Sequence, residues 1–371
     1  MMSARFLTVV LERAFNMRDG FGREIDYMRI SVIDSCNLNC YYCNPCDNNE
    51  HCHALNILSV KEVLCIVRAA TRLGIKHFRL TGGEPLLHPQ LDEMVLQIKK
   101  IPGVSSVSLT TNAVLLAQHA KWLKEAGIDS INVSLDTIDA SEYERITKKP
   151  LLEKVKHGIN AAIECGIRVK INVVLTPQTD VVALTRYVAK KGTDIRFIEM
   201  MPVGEGHTNG VEPYKKVIGT LSKLYGEPCR INTEKTKEIN SGNDKRKIPD
   251  NGPAEYYIFP ELGIRVGLIQ AIHGKFCDTC NRIRVTADGR LMPCLGSSVT
   301  MDLVPDSCEF TDDLEKDFVI VQALKAAIKA KPGCHNFNDN AVTYTKTTET
   351  KTTEIEAAEV NAARNMSRIG G

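Results

Sequence analysis

Between residues 27 and 200, strand-like runs alternate with stretches of helical spacing, and this rhythm constrains the fold more than any other feature. The runs are YMRISVID (27–34), HFRLTGG (77–83), VSSVSLTT (104–111), SINVSLD (130–136), RVKINVVL (168–175) and IRFIEM (195–200). Between them lie periodic segments such as SVKEVLCIVRAATRLG and LLAQHAKWLKEAG, both ending in glycine, a common helix terminator. Serial βα units produce a parallel sheet with right-handed crossovers. The units follow one another without a long break, so an incomplete, TIM-like (β/α)6 barrel is expected rather than an open Rossmann sheet. This barrel spans 27–205, after an N-terminal segment (1–26). A smaller α/β extension follows at 206–335, with strands EYYIF, IRVGLIQ, RIRVTA and RLMPCL, and a polar tail occupies 336–371.

The unusual residues fall just after the strands. Cys36–Cys43 follow the first, Gly82-Gly83-Glu84-Pro85 the second, Thr111-Asn112 the third, Ser134 the fourth and Met201 the sixth. In a barrel those loops share the C-terminal rim, where active sites sit. Lys170 lies inside the fifth strand, where an inward cation is costly without an anion.

Thirteen cysteines without a targeting signal argue for metal binding over disulfides. Two triplets stand out: Cys36-x3-Cys40-x2-Cys43, and Cys277-x2-Cys280 closed by Cys294. A four-iron cluster takes one ligand per iron, so three thiolates leave one iron open to something else. Structural zinc is an alternative, with Cys46, Cys52, His51 or His53 completing the first set and Cys308 or His273 the second. Ferredoxin-like ligation is another, because Cys40-x2-Cys43-x2-Cys46 copies part of that spacing. Cys65, Cys165, Cys229 and Cys308 are isolated and read as ordinary residues. A net charge of +2 gives no broad basic surface for nucleic acid, and no apolar run is long enough to span a membrane. Arg5, Arg13 and Arg18 would suit a mitochondrial presequence, but Glu12 and Asp19 argue against one, so a cytoplasmic enzyme is expected.

CxxxCxxC with Tyr42 before the last cysteine, on a loop after a strand and followed by a GGEP loop, resembles the radical S-adenosylmethionine superfamily. The second triplet, with Arg282-Ile283-Arg284 inside it, narrows the resemblance to the GTP 3′,8-cyclase family of molybdenum-cofactor biosynthesis. FGREIDYMRIS, LTGGEPLL, LTTN, INVSLD, IRFIEM, CNRIRVTADG and the terminal Gly-Gly follow in the same order over nearly the whole chain. The resemblance implies a lyase with the radical SAM barrel, two [4Fe–4S] clusters and S-adenosylmethionine. Cys36, Cys40 and Cys43 would hold the first cluster, and Cys277, Cys280 and Cys294 the second. Tyr42, Gly83, Ser134 and Met201 would line the S-adenosylmethionine site. Arg29, Arg79, Thr111, Lys170, Arg282, Ile283 and Arg284 would contact GTP, with Arg282, Arg284, Gly370 and Gly371 serving catalysis. Implied partners are a flavodoxin- or ferredoxin-like electron donor and the cyclic pyranopterin monophosphate synthase. A homodimer is compatible with the resemblance, but no residue fixes the oligomeric state. A radical enzyme acting on a peptide or another nucleotide is the alternative, and a two-cluster electron carrier the non-enzymatic one.

Three residues depart from the family pattern: Ser35 where Arg is usual, His77 where Lys is frequent, and Ala113 where Gly is typical. Losing a permanent charge at His77 would make triphosphate affinity lower or pH-dependent.

Overall fold

The computed structural model describes residues 17–43, 56–203, 211–231, 252–297, 299–303, 313–335 and 337. Cys46, His51, Cys52, His53, Cys308, the Lys-rich stretch 234–251 and the terminal Gly370-Gly371 lie outside those residues.

The six expected strands form as β1 Tyr27–Ser31, β2 His77–Thr81, β3 Ser106–Thr111, β4 Ser130–Ser134, β5 Val169–Val174 and β6 Asp194–Ile198. Helices α1 Val60–Arg72, α2 Leu91–Lys99, α3 Leu116–Glu125, the pair α4 Ala140–Thr147 and α5 Leu152–Glu164, and α6 Val181–Lys190 follow the first five strands. The start of α1 is written locally. Ser59 and Glu62 form a reciprocal capping box that satisfies two of its free N–H groups. The strands pair in chain order, all parallel, from β1 to β6.

The extension does not form a separate layer. Its strand β9 (Arg265–Ile269) pairs in parallel with β6, and β10 (Arg282–Val285) pairs in parallel with β1. Beyond them, β7 (Cys229–Arg230) and β8 (Glu255–Ile258) continue one edge as antiparallel strands, while β11 (Arg290–Met292) and β12 (Met301–Asp302) continue the other. The result is one open sheet of twelve strands among the described residues, with β12 and β7 at its ends. The segment between β9 and β10 therefore bridges the two edges of the partial barrel, and it carries Cys277 and Cys280. Two further helices belong to the extension, α7 (Gly219–Tyr225) and α8 (Asp313–Lys329). The latter packs on α1, where Arg72 meets the buried carboxylate of Asp317 at 3.1 Å.

Strand side chains alternate between faces. One face carries Met28, Ile30, Phe78, Leu80, Val107, Leu109, Ile131, Val133, Ile171, Val173, Ile195, Phe197, Ile283 and Val285, all buried in one apolar cluster with the helices. In register on the other face stand Arg284, Arg29, Arg79 and Ser108, and then Asn132, Lys170 and Asp194. An ordinary closed barrel fills its interior with branched apolar residues. Here the inner face is polar; some of its groups pair with each other, as Asp194 does with Arg265, and the rest need water or a ligand.

Candidate active site

A cavity of about 310 Å³ lies within the curve of the sheet, lined by both cysteine triplets. Cys36, Cys40 and Cys43 sit beyond the C-terminal end of β1. Cys277 and Cys280 immediately precede β10, whose first residue, Arg282, is in register with Tyr27 at the start of β1. The two sets thus enter from opposite ends, with Arg29, Arg282 and Arg284 on the wall between them.

The first loop is pinned from several sides. Asn39 and Tyr41 donate backbone N–H groups to Thr147 and Ile146 at the end of α4. The Asn112 amide donates to Asn37 at 2.7 Å and approaches the Cys36 sulfur at 3.8 Å. Gly83 N–H donates to Ile33 O at 2.7 Å and Glu84 N–H to Ser35 O at 2.8 Å, which stitches the GGEP loop to the chain leading into Cys36. A Cβ on Gly83 would lie 2.2 Å from Ser35 O, so only glycine allows this approach. Gly83 thus holds the cysteine loop while also lining the cavity.

Glu84 is fully buried and accepts from Leu86 N–H (3.0 Å), Asn112 N–H (2.7 Å) and Thr111 Oγ1 (2.7 Å). Burial pushes its carboxyl up to about 7, against the pull of those three donors. It braces the loops, as a hydrogen-bond acceptor should. Thr111, in register with Val133 at the end of β3, gives its hydroxyl to this bond and still lines the cavity. Thr110 instead lies near Arg79, whose guanidinium approaches its hydroxyl at 3.5 Å.

Ala113 follows with φ at 63°, a left-handed conformation that costs an L-residue about 1–2 kcal/mol. The departure from Gly therefore carries strain. Ala113→Gly is expected to raise stability by up to about 1 kcal/mol, read as a higher thermal midpoint with unchanged iron content. A lower midpoint would mean that the Ala113 methyl, fully buried against the core, outweighs the strain.

Tyr42 donates its hydroxyl to Asp136 at 2.5 Å, and Asp136 also accepts Val174 N–H at 2.8 Å. Burial pushes the Asp136 carboxyl up to about 6. Gly83, Ser134 and Met201 line the same end of the cavity. Asn132 Oδ1, buried on the inner face, finds no partner within the described residues, as expected of a group that a ligand completes. Burial drives the thiols of this set upward, Cys36 to about 11 and Cys43 to about 12, with Cys40 moving the same way.

The second triplet is set among cations. The antiparallel β10–β11 hairpin brings Cys294, just past Met292, back towards Cys280. Lys331 is buried and donates to Arg282 O at 2.7 Å and Pro293 O at 2.9 Å, tying both limbs of the hairpin. Burial would raise the Cys280 thiol, but Lys331 and Arg282 outweigh it and shift the group downward. Arg23 donates to Cys277 O (2.6 Å), Pro332 O (2.7 Å) and Gly333 O (3.2 Å), and its other edge binds Asp19. Glu199, at the end of β6, accepts Ile272 and His273 N–H at 2.7 and 3.1 Å, and the His273 ring also bonds to it. His273 is thus oriented by Glu199 through Nδ1.

Four arginines and one phenol cluster on the inner face of the sheet, and three of the arginines line the cavity. Burial and neighbouring Arg284 drive the Arg29 guanidinium well downward, and burial with Arg282 brings Arg284 to about 10. Such crowding of cations favours an anion in the cavity. Tyr27 shows the same field: burial would raise it, yet Arg79, Arg282 and Arg29 bring it down to about 8. Arg79, on the same face, bonds to Tyr27 and donates to Leu109 O at 3.2 Å, and does not itself line the cavity. Lys170 also lies off the wall, 5.8 Å from the Tyr256 ring, and Ile283 faces the helices. Sequence reasoning missed Arg23, Asp136, Glu199 and Lys331. Asp136 could have been found by its two-residue spacing from Ser134, whereas nothing local marks Lys331.

Among the described residues, no group of three or more His, Cys, Asp or Glu side chains converges closely enough to hold a single metal ion. A four-iron cube takes its thiolates at separate corners, so triplets spread along a cavity wall fit a cluster better than tetrahedral zinc.

The chain matches the Radical SAM superfamily over residues 30–183 and Molybdenum Cofactor Synthesis C over 193–337. A solved structure of Streptococcus suis SuiB bound to S-adenosylmethionine superposes with a TM-score of 0.54, covering 81% of this chain and 65% of that one. At 15% identity that likeness speaks for the fold alone. Fold and cysteine loop together define a radical S-adenosylmethionine enzyme. A GTP 3′,8-cyclase of Clostridium perfringens (strain SM101 / Type A) is 36% identical over 324 residues, 86% of this chain and 95% of the relative. A GTP 3′,8-cyclase of Listeria monocytogenes serovar 1/2a is also 36% identical, over 86% of this chain and 92% of its own. The chain belongs to the GTP 3′,8-cyclase family.

Proposed function

We propose that this cavity converts GTP into 3′,8-cyclo-7,8-dihydro-GTP, the first step of molybdenum-cofactor biosynthesis. One observation carries the reading: both cysteine triplets line a single cavity, with Arg29, Arg282 and Arg284 between them. Cys36, Cys40 and Cys43 would hold the radical-generating [4Fe–4S] cluster, and Cys277, Cys280 and Cys294 the auxiliary one. When reduced, the first cluster supplies the electron that cleaves S-adenosylmethionine to a 5′-deoxyadenosyl radical.

The chain's own residues do the rest. Tyr42, fixed by Asp136, is placed to pack against S-adenosylmethionine beside Gly83, Ser134 and Met201. Arg29, Arg282 and Arg284 offer planar donors to phosphate oxygens. Arg79 and Lys170 add charge from the same inner face of the sheet, and Thr111, which lines the cavity, would meet the nucleotide while its hydroxyl also braces Glu84. Ile283 contributes by spacing the two arginines to one face. Holding the nucleotide at both ends limits which C–H bond meets the radical, and the product joins ribose C3′ to guanine C8. We further propose a division near residue 205 between the radical-generating and nucleotide-holding parts, and that Gly370-Gly371, outside the described residues, reach into the site. A flavodoxin- or ferredoxin-like donor, transfer of product to the cyclic pyranopterin monophosphate synthase, a cytoplasmic location and a homodimeric state belong to the same reading. Among the described residues, no helix is long and apolar enough to cross a membrane.

Tyr27 reports on the nucleotide. Its phenol, depressed to about 8, makes a contribution to stability that is complete above the unfolded value near 10 and is lost as pH falls through 8. GTP should neutralise the arginines and move the tyrosinate absorbance midpoint upward, while guanosine, lacking phosphates, should leave it in place. An unmoved midpoint at saturating GTP would place the triphosphate elsewhere. His77 bonds through Nδ1 to Ser106 at 2.8 Å, and burial lowers its titration below the ordinary histidine range. Any pH-dependence of triphosphate affinity due to His77 therefore shifts to lower pH than for an ordinary histidine. His77→Lys should tighten GTP binding severalfold at pH 7–8, measured by anaerobic calorimetry.

A further inference from the structure

A fourth thiol enters the second cysteine site from a distant part of the chain. Cys334 lines the same cavity as Cys277, Cys280 and Cys294, and its side chain lies within hydrogen-bonding reach of the Cys277 thiol. It gave no signal in the sequence, because its distance from Cys294 matches no ligand spacing.

Its placement is not that of a loose surface residue. On one side, Lys331 is bonded to Arg282 O and Pro293 O, and Arg23 grips Pro332 O and Gly333 O. On the other, His335 is buried, its Nε2 lies 2.7 Å from Ala271 O, and its backbone N–H points to Cys277. Buried anchors on both sides hold the Cys334 backbone against the cluster site. The thiol itself is exposed and turned to the cavity.

We propose that Cys334 is a displaceable fourth ligand of the auxiliary cluster, bound to its open iron in the absence of nucleotide and released when GTP arrives. The inference rests on the reading that Cys277, Cys280 and Cys294 hold a four-iron cluster. A cube with four thiolates is coordinatively complete, so the resting enzyme would present no iron to water or to a stray ligand. Binding Cys334 costs the thiol its proton, and its displacement by GTP returns one, with no change in oxidation state.

The test uses the full chain with Cys36, Cys40 and Cys43 replaced by Ala, so that only the second site is loaded, with and without Cys334→Ser. Without nucleotide, the paramagnetic resonance spectrum of the reduced cluster should differ between the two proteins. At saturating GTP the spectra should coincide, and GTP should bind several-fold more tightly to the Cys334→Ser protein, which has no internal competitor. Identical spectra and equal affinity at equal iron content would overturn the proposal. A second site that takes up zinc or no iron in both proteins would overturn the cluster reading on which it stands. Iron content therefore separates the two failures.

Discussion

Replacing Cys277, Cys280 and Cys294 together by Ala is expected to abolish GTP cyclisation while S-adenosylmethionine is still cleaved to 5′-deoxyadenosine. Iron should fall from roughly eight to roughly four per chain. The structure gives the reason for this separation. The first triplet is held by α4, the GGEP loop and Asn112. The second is held by Arg23, Lys331 and the His273–Glu199 contact. Parallel loss of iron from both sites would show that the second triplet serves mainly to fold the chain around the edges of the sheet.

Arg284→Met should have opposite effects on binding and on stability. Arg284 is in register with Arg29; Arg284 is buried and Arg29 partly buried. A charge-assisted hydrogen bond contributes about 1.5–3 kcal/mol, so its removal should weaken GTP binding roughly 10- to 100-fold. The same substitution relieves repulsion among Arg29, Arg282 and Arg284, so the nucleotide-free protein should melt no lower than the parent. Weakened binding without destabilisation is the mark of a residue kept for its ligand. A much lower thermal midpoint would instead make Arg284 part of the core.

The six barrel strands and their rim were legible because alternation and cysteine spacing are local signals, and each strand pairs with the next in the chain. The partners of β9 and β10 were not legible. Short extension strands look alike in sequence, and their pairing with β6 and β1 depends on long-range closure of the partial barrel. Thr111 shows a finer limit. Both threonines of LTTN line the cavity, and only the long-range bond to Glu84 shows that Thr111 also braces the GGEP loop. Nothing local in the sequence marks Arg23 or Lys331, because burial of a single basic residue is decided by carbonyls distant in the chain. The cysteines were legible by spacing only where their partners were near, which is why Cys334 escaped notice.

The central claim is that one cavity holds a radical source at one end and GTP at the other. Anaerobic incubation of the reconstituted, reduced protein with S-adenosylmethionine and GTP deuterated at C3′ tests it most directly. Deuterium should appear in 5′-deoxyadenosine, with 3′,8-cyclo-7,8-dihydro-GTP formed alongside. Deuterium-free 5′-deoxyadenosine beside intact GTP would contradict it.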